Sequence, residues 1–126
     1  MTNTTDDGDD CIDGGDGCDY VDGENGADLL FGGADTDSVF GSAGNDTIFC
    51  DLGDGDYENG DAGDYLYGGT GDDCMDGEGG DDCMWGGDDN DTMYGRTGND
   101  RMDGGDGHDR MAGGLGDDLV MGGAGH

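Results

Sequence analysis

Aspartate returns at every ninth residue along almost the whole chain: Asp10, Asp19, Asp28, Asp37, Asp46, Asp64, Asp73, Asp82, Asp91, Asp100, Asp109 and Asp118, with Gly55 at the one missing place. A single aspartate is ordinarily a solvated surface carboxylate. Twelve in one phase are different, because any regular fold stacks them at a fixed pitch, where carboxylates repel one another across a few ångströms. A cation between neighbours relieves that repulsion. Covalent chemistry has no such basis here: no nucleophile sits beside a base, and the repeated carboxylates are tied to one structural phase. The chain reads as a non-enzyme.

The elements that would position these carboxylates follow from the same period. A nine-residue frame set at Thr5 runs without insertion or deletion to Met121 as thirteen blocks, among them "GGDGCDYVD", "GENGADLLF", "GSAGNDTIF", "GGTGDDCMD", "GRTGNDRMD" and "GGLGDDLVM". The consensus is G-G-x-G-x-D-x-U-x, with U large and apolar. The eighth position holds Ile12, Val21, Leu30, Val39, Ile48, Tyr57, Leu66, Met75, Met84, Met93, Met102, Met111 and Val120. One apolar side chain per block cannot make a core alone, so blocks must stack. In a strand the eighth residue faces inward while the seventh and ninth face outward. The glycine-rich remainder reverses the chain, since Gly takes positive φ at little cost. Two blocks then make a coil of 18 residues, with alternate blocks on opposite sheets.

The composition agrees only because of this period. The 126 residues include 33 Gly, no Pro, and 34 acidic against three basic residues, a net charge of -31. Without periodicity that balance would describe a disordered, self-repelling chain.

The consensus resembles the RTX, or haemolysin-type, calcium-binding nonapeptide repeat. The resemblance implies an all-β fold, a right-handed parallel β-roll or β-solenoid of about seven coils. Residues 5–126 would form one domain of thirteen repeats and a partial fourteenth, behind a tail at 1–4. It also implies that each ion lies between turns of successive coils, held by sixth-position Asp side chains and backbone carbonyls, and that the chain is part of an exported, extracellular protein.

Calcium suits such a column on its own chemistry. It is hard, takes six to eight oxygens and tolerates irregular geometry, whereas magnesium demands a tighter octahedron. On an unbroken 18-residue coil, Asp10, Asp28, Asp46, Asp64, Asp82, Asp100 and Asp118 share one edge and the other Asp residues share the second, with Gly55 interrupting it. That gives about nine fully paired Ca2+ sites. An EF-hand is excluded, because no D-x-D-x-D-G loop with a distal Glu occurs. Nucleic acid is a poor partner at this charge.

Some positions depart from the pattern. The block at 50–58, "CDLGDGDYE", fits worst and predicts an irregular coil, while Asp35 and Asp89 stand in for the fourth Gly, a place where Asp tolerates left-handed geometry. The five cysteines, Cys11, Cys18, Cys50, Cys74 and Cys83, form no CxxC pair and predict no regular disulfide framework. The eighth-position methionines read as core. On the unbroken coil, Phe31, Phe49, Tyr67 and Trp85 fall on consecutive rungs of one outer face, flanked by Leu29 and Tyr65. An exposed aromatic strip of this kind would serve as an interface. No segment is apolar enough to span a membrane.

Three functions compete on these grounds. The first is a calcium-binding module that folds on binding Ca2+ and stabilises an exported protein. The second is a self-associating structural or adhesive rod, a homo-oligomer formed through the aromatic face or end to end. The third is an ice-binding solenoid, for which only Thr70-Gly71-Asp72 and Thr97-Gly98-Asn99 have the required look.

Overall fold

A three-residue strand around one apolar side chain is stable only with neighbours on both sides. In the computed structural model, which describes residues 8–50 and 62–125, the blocks supply those neighbours to one another. The strands are β1 (Cys11–Asp16), β2 (Tyr20–Asp22), β3 (Leu29–Ala34), β4 (Ser38–Ala43), β5 (Thr47–Phe49), β6 (Tyr65–Thr70), β7 (Cys74–Asp76), β8 (Cys83–Asp88), β9 (Thr92–Thr97), β10 (Arg101–Gly107), β11 (Arg110–Leu115), β12 (Leu119–Met121) and β13 (Ala124–Gly125). They form two parallel sheets, ordered β1-β3-β5-β7-β9-β11 and β2-β4-β6-β8-β10-β12, with β13 beside β10. The fold is all-β, a β-solenoid of the β-roll kind with about six turns.

Between the sheets lies a core one side chain thick. Ile12, Val21, Leu30, Val39, Ile48, Leu66, Met75, Met84, Met93 and Met102 are all buried, as eighth positions should be. Met111 only packs against this column, and Val120 is 44% exposed, because no further rung among the described residues covers the last coil. Tyr57 and the 1–4 tail lie outside the described residues. Many strands are longer than the apolar triplet and run on through the first two glycines before turning. Asp35 and Asp89 take φ of 77° and 83°, so they do replace Gly in left-handed geometry.

The register corrects one expectation. Rungs pair 18 residues apart, as Leu30 does with Ile12 and Met84 with Leu66. Across residues 50–61 the interval is 27: Ser38 pairs with Tyr65, and Thr47 with Cys74. Nine residues more than the period requires therefore separate Cys50, which keeps its place in the stack, from Asp64, and this skip makes about six coils rather than seven. The physical reason is the sixth residue of the block at 50–58. Gly55 has no carboxylate to accept the Asp37 N–H, and Asp64 accepts it instead. Residue 55 itself lies outside the described residues.

All blocks beyond the skip consequently change sheets, and the aromatic strip divides. Phe31 and Phe49 stack on one sheet, with ring centroids 5.5 Å apart, and their next neighbour is Asp76. Tyr67 and Trp85 lie on the other sheet, in a ladder running Tyr20, Phe40, Tyr67, Trp85, with successive centroids 5.0, 4.6 and 4.6 Å apart. Leu29 and Tyr65 are likewise on different sheets. The single contact face expected from these six residues does not form. The ladder that does form is cross-strand stacking of neighbouring rungs.

The skip has a direct test. Deleting residues 51–59 joins Cys50 to Gly60 and yields "CGDAGDYLY", a regular block with Asp64 sixth and Leu66 eighth. The shortened chain is expected to keep calcium uptake and the Tyr67–Trp85 stack, with melting unchanged or slightly raised, since a shorter loop saves only a fraction of a kcal/mol (about 0.6 per halving). If an unbroken 18-residue coil were correct, the deletion would remove half a coil of paired strand with its eighth-position Tyr57 and lower the melting temperature sharply.

Candidate metal-binding site

The Gly-rich turns bring the sixth-position aspartates into two columns along the edges of the roll. Each Asp after the first in its column uses Oδ1 to accept the backbone N–H of the Asp one coil earlier. One column runs Asp10, Asp28, Asp46, Asp73, Asp91, Asp109, with N···O distances of 2.8 to 3.1 Å. The other runs Asp19, Asp37, Asp64, Asp82, Asp100, Asp118 at 2.8 to 3.0 Å. All twelve predicted aspartates are thus in register. Both columns are continuous, which corrects the expected break on one edge and gives ten adjacent carboxylate pairs instead of nine.

The second carboxylate oxygen is the chemically informative one. Oδ2 of Asp28, Asp46, Asp73, Asp82, Asp91, Asp100 and Asp109 is buried with no hydrogen-bond partner. A buried oxygen anion left this way is costly, so native structures rarely tolerate a series of them without a ligand. Beside each such oxygen lies the first glycine of its own block. A methyl group at Gly41 would press on Asp46 Oδ2 and sit 2.7 Å from the Gly68 carbonyl oxygen; at Gly86 it would press on Asp91 Oδ2 and sit 2.5 Å from Gly104 O. The absence of a Cβ makes a cradle in which the carboxylate oxygen lies against the glycine, beside a carbonyl oxygen of the next coil. Oxygen-only donors of this kind fit a hard cation such as Ca2+.

Burial acts on the acidity of the same groups. Desolvation pushes Asp73 up to about 7, Asp82 up to about 8 and Asp91 up to about 6, against the accepted N–H, which pulls each down. Carboxylates of adjacent coils add to the rise: Asp46 and Asp91 on Asp73, Asp100 and Asp64 on Asp82. Asp28, Asp46 and Asp100 are raised for the same leading reason. A bound cation reverses this balance by favouring the charged form.

Two features of the site escaped the sequence reading. A second ladder of fifth-position side chains runs over the turns with the opposite polarity. Here the later coil donates, as Asn90 N–H does to Asp72 Oδ1 at 2.9 Å, Asn99 N–H to Asp81 Oδ1 at 2.8 Å and His108 N–H to Asn90 Oδ1 at 3.0 Å. The frequent Asp and Asn at fifth positions were the available signal. The other feature is an ion pair, in which Arg96 Nε reaches Asp76 Oδ1 at 2.9 Å and its Nη2 reaches Oδ2 at 2.5 Å. Arg96 also lies 5.1 Å from the Tyr94 ring. Asp76 and Arg96 are 20 residues apart, and no periodic argument joins them.

Among the described residues the five cysteines form no disulfide within the chain. No helix there is long and apolar enough to cross a membrane. Comparison with curated proteins and with solved structures gave no significant match. The RTX calcium-binding nonapeptide repeat, by contrast, matches in four copies, over residues 14–48, 22–56, 58–93 and 94–126. With nearly the whole chain matched and its aspartates columned as described, the protein belongs to the RTX calcium-binding nonapeptide-repeat family.

Proposed function

We propose that this chain is a calcium-driven folding module, ordered by ions taken up between its coils and serving as a stiff, stabilising part of an exported, extracellular protein. The observation that carries the reading is the run of buried, unpartnered Asp Oδ2 atoms beside glycine cradles. The twelve column aspartates, Asp10 to Asp118, are the proposed ligands, with the turn carbonyls completing each sphere. Calcium would supply positive charge and oxygen coordination between coils. The chain supplies the rest: Asp Oδ1 fixes the spacing of successive turns, and the first Gly keeps the space open. Metal binding then becomes folding free energy, because the unfolded chain holds no preformed site. No part of this role requires catalysis.

Calorimetric titration of the metal-free chain tests the proposal. Uptake of about nine calcium ions is expected, one at each of the ten carboxylate pairs except Asp64–Asp82, whose coil carries Cys50 in place of the first glycine, together with a gain of β signal, whereas magnesium at equal concentration does neither. No uptake, or an equal response to magnesium, overturns it.

A further inference from the structure

One position in the columns is built differently. Cys50 occupies the place of a first glycine: its N–H donates to Asp76 O at 3.1 Å, as Gly77 N–H donates to Tyr94 O at 2.8 Å one coil on. Its carbonyl oxygen lines the cradle of Gly32, 2.7 Å from where a methyl would stand, as glycine carbonyls do elsewhere. The sixth-position aspartate of this coil, across the skip, is Asp64. A thiol therefore projects where each neighbouring coil has a glycine with the column carboxylate packed against it.

Cys50 Sγ and one carboxylate oxygen from each of Asp64 and Asp82 lie within 4.8 Å of one another, and all three residues are buried. The thiol donates to Asp64. Asp82 gives an independent indication of a ligand. It is 1% exposed, its Oδ1 accepts the Asp64 N–H, and its Oδ2 has no partner. That Oδ2 faces the first-position column, pressing on the space beside Gly77, directly over Cys50 in the stack.

We propose that Cys50, Asp64 and Asp82 form a mixed thiolate and carboxylate site for a single thiophilic divalent cation, zinc or cadmium, inserted in the column of oxygen-only sites. Sulfur is a poor ligand for calcium and a good one for these ions. A tetrahedral zinc holds sulfur and oxygen ligands roughly 3.5 Å apart, so the side chains need to close by little over an ångström. On binding, the metal takes the sulfur lone pair and the thiol proton leaves to solvent; nothing is oxidised. A fourth donor is water or a turn carbonyl. The site depends on the coil being folded, which circular dichroism reports separately from thiophilic metal binding.

The test uses the full chain with Cys11, Cys18, Cys74 and Cys83 changed to Ser, folded in saturating calcium and titrated with Cd2+. One equivalent is expected to bind with an ultraviolet sulfur-to-cadmium charge-transfer band, and Zn2+ should displace it. Asp82→Asn should weaken the cadmium binding at least tenfold, read at a calcium concentration raised until the variant's β spectrum matches that of the parent chain. Cys50→Gly, which restores the family residue, should abolish the band and add one calcium ion to the stoichiometry. A folded chain that gives no band, or that binds cadmium equally well after Asp82→Asn, overturns the proposal, as does Cys50→Gly with unchanged calcium uptake. A chain that shows no β signal in calcium instead counts against the calcium reading.

Discussion

Stripped of metal above pH 8, the chain is expected to show no β-sheet circular dichroism, to gain it when calcium is added, and to regain part of it without calcium when acidified to about pH 4. The first two outcomes follow from the size of the opposing terms. Ordering each residue costs on the order of 1–2 kcal/mol, most severely for glycine, of which there are 33. Against this stands a core one side chain thick and a net charge of -31. Fully ionised columns add repulsion between neighbours such as Asp73 and Asp91.

Acid is expected to act in the favourable direction because of the sign of the shifts. In the metal-free fold Asp91, Asp73 and Asp82 are raised to about 6, 7 and 8, from an ordinary 3.8. A raised carboxyl binds its proton more tightly in the fold than in the unfolded chain. Its contribution is therefore fully present below about pH 4 and is lost as the pH climbs through 6 to 8. Protons and calcium neutralise the same oxygens and compete for them, so the calcium midpoint should rise as the pH falls. Circular dichroism of dialysed, metal-free protein across this range checks both halves. A strong β spectrum above pH 8 without calcium, or one that acid fails to increase, would falsify the account.

The sequence carried most of the fold because a strict nine-residue period ties inward side chain, turn and ligand to fixed places. Leu30, Met84 and Asp91 are all buried, as their block positions require, although Met84 and Asp91 lie on the opposite side of the roll from the one that an unbroken count assigns. What the period does not carry is whether each block makes a rung. Counting in nines kept Tyr67 in phase but assigned it to the Phe49 sheet, whereas hydrogen bonding through Asp64 places it beside Phe40. The decision belongs to a pair of backbone and carboxylate atoms far apart in sequence. Cys50 was hidden for the same reason. Read as the start of a poor block it was only a lost glycine; read as the first residue of the Asp64 coil it puts a thiol among ligands. The Arg96 and Asp76 pair depends on side-chain reach across a turn, which no spacing rule encodes.

Gly86→Ala is expected to remove at least one calcium ion and to lower the melting temperature strongly in calcium, while changing the metal-free chain little. Gly86, like the other first-position glycines, separates the ligand cradle from left-handed backbone strain. Its φ does not fall in the left-handed region, so alanine meets no intrinsic conformational penalty there. The added methyl would nonetheless press on Asp91 Oδ2 and stand 2.5 Å from Gly104 O, both of them proposed donors to one ion. If that site is saturated at a hundred times its dissociation constant, losing it removes about 2.7 kcal/mol. Gly15→Ala supplies the contrast. It takes φ of 97° but has open space around the new methyl, so it should cost roughly 1 kcal/mol of backbone strain without reducing calcium uptake. Calorimetric stoichiometry and thermal melts on the two variants separate the effects. Should Gly86→Ala bind as many ions as the parent chain, the space beside Asp91 Oδ2 is not where calcium sits, and the ligands must be sought on the outer side of the turns.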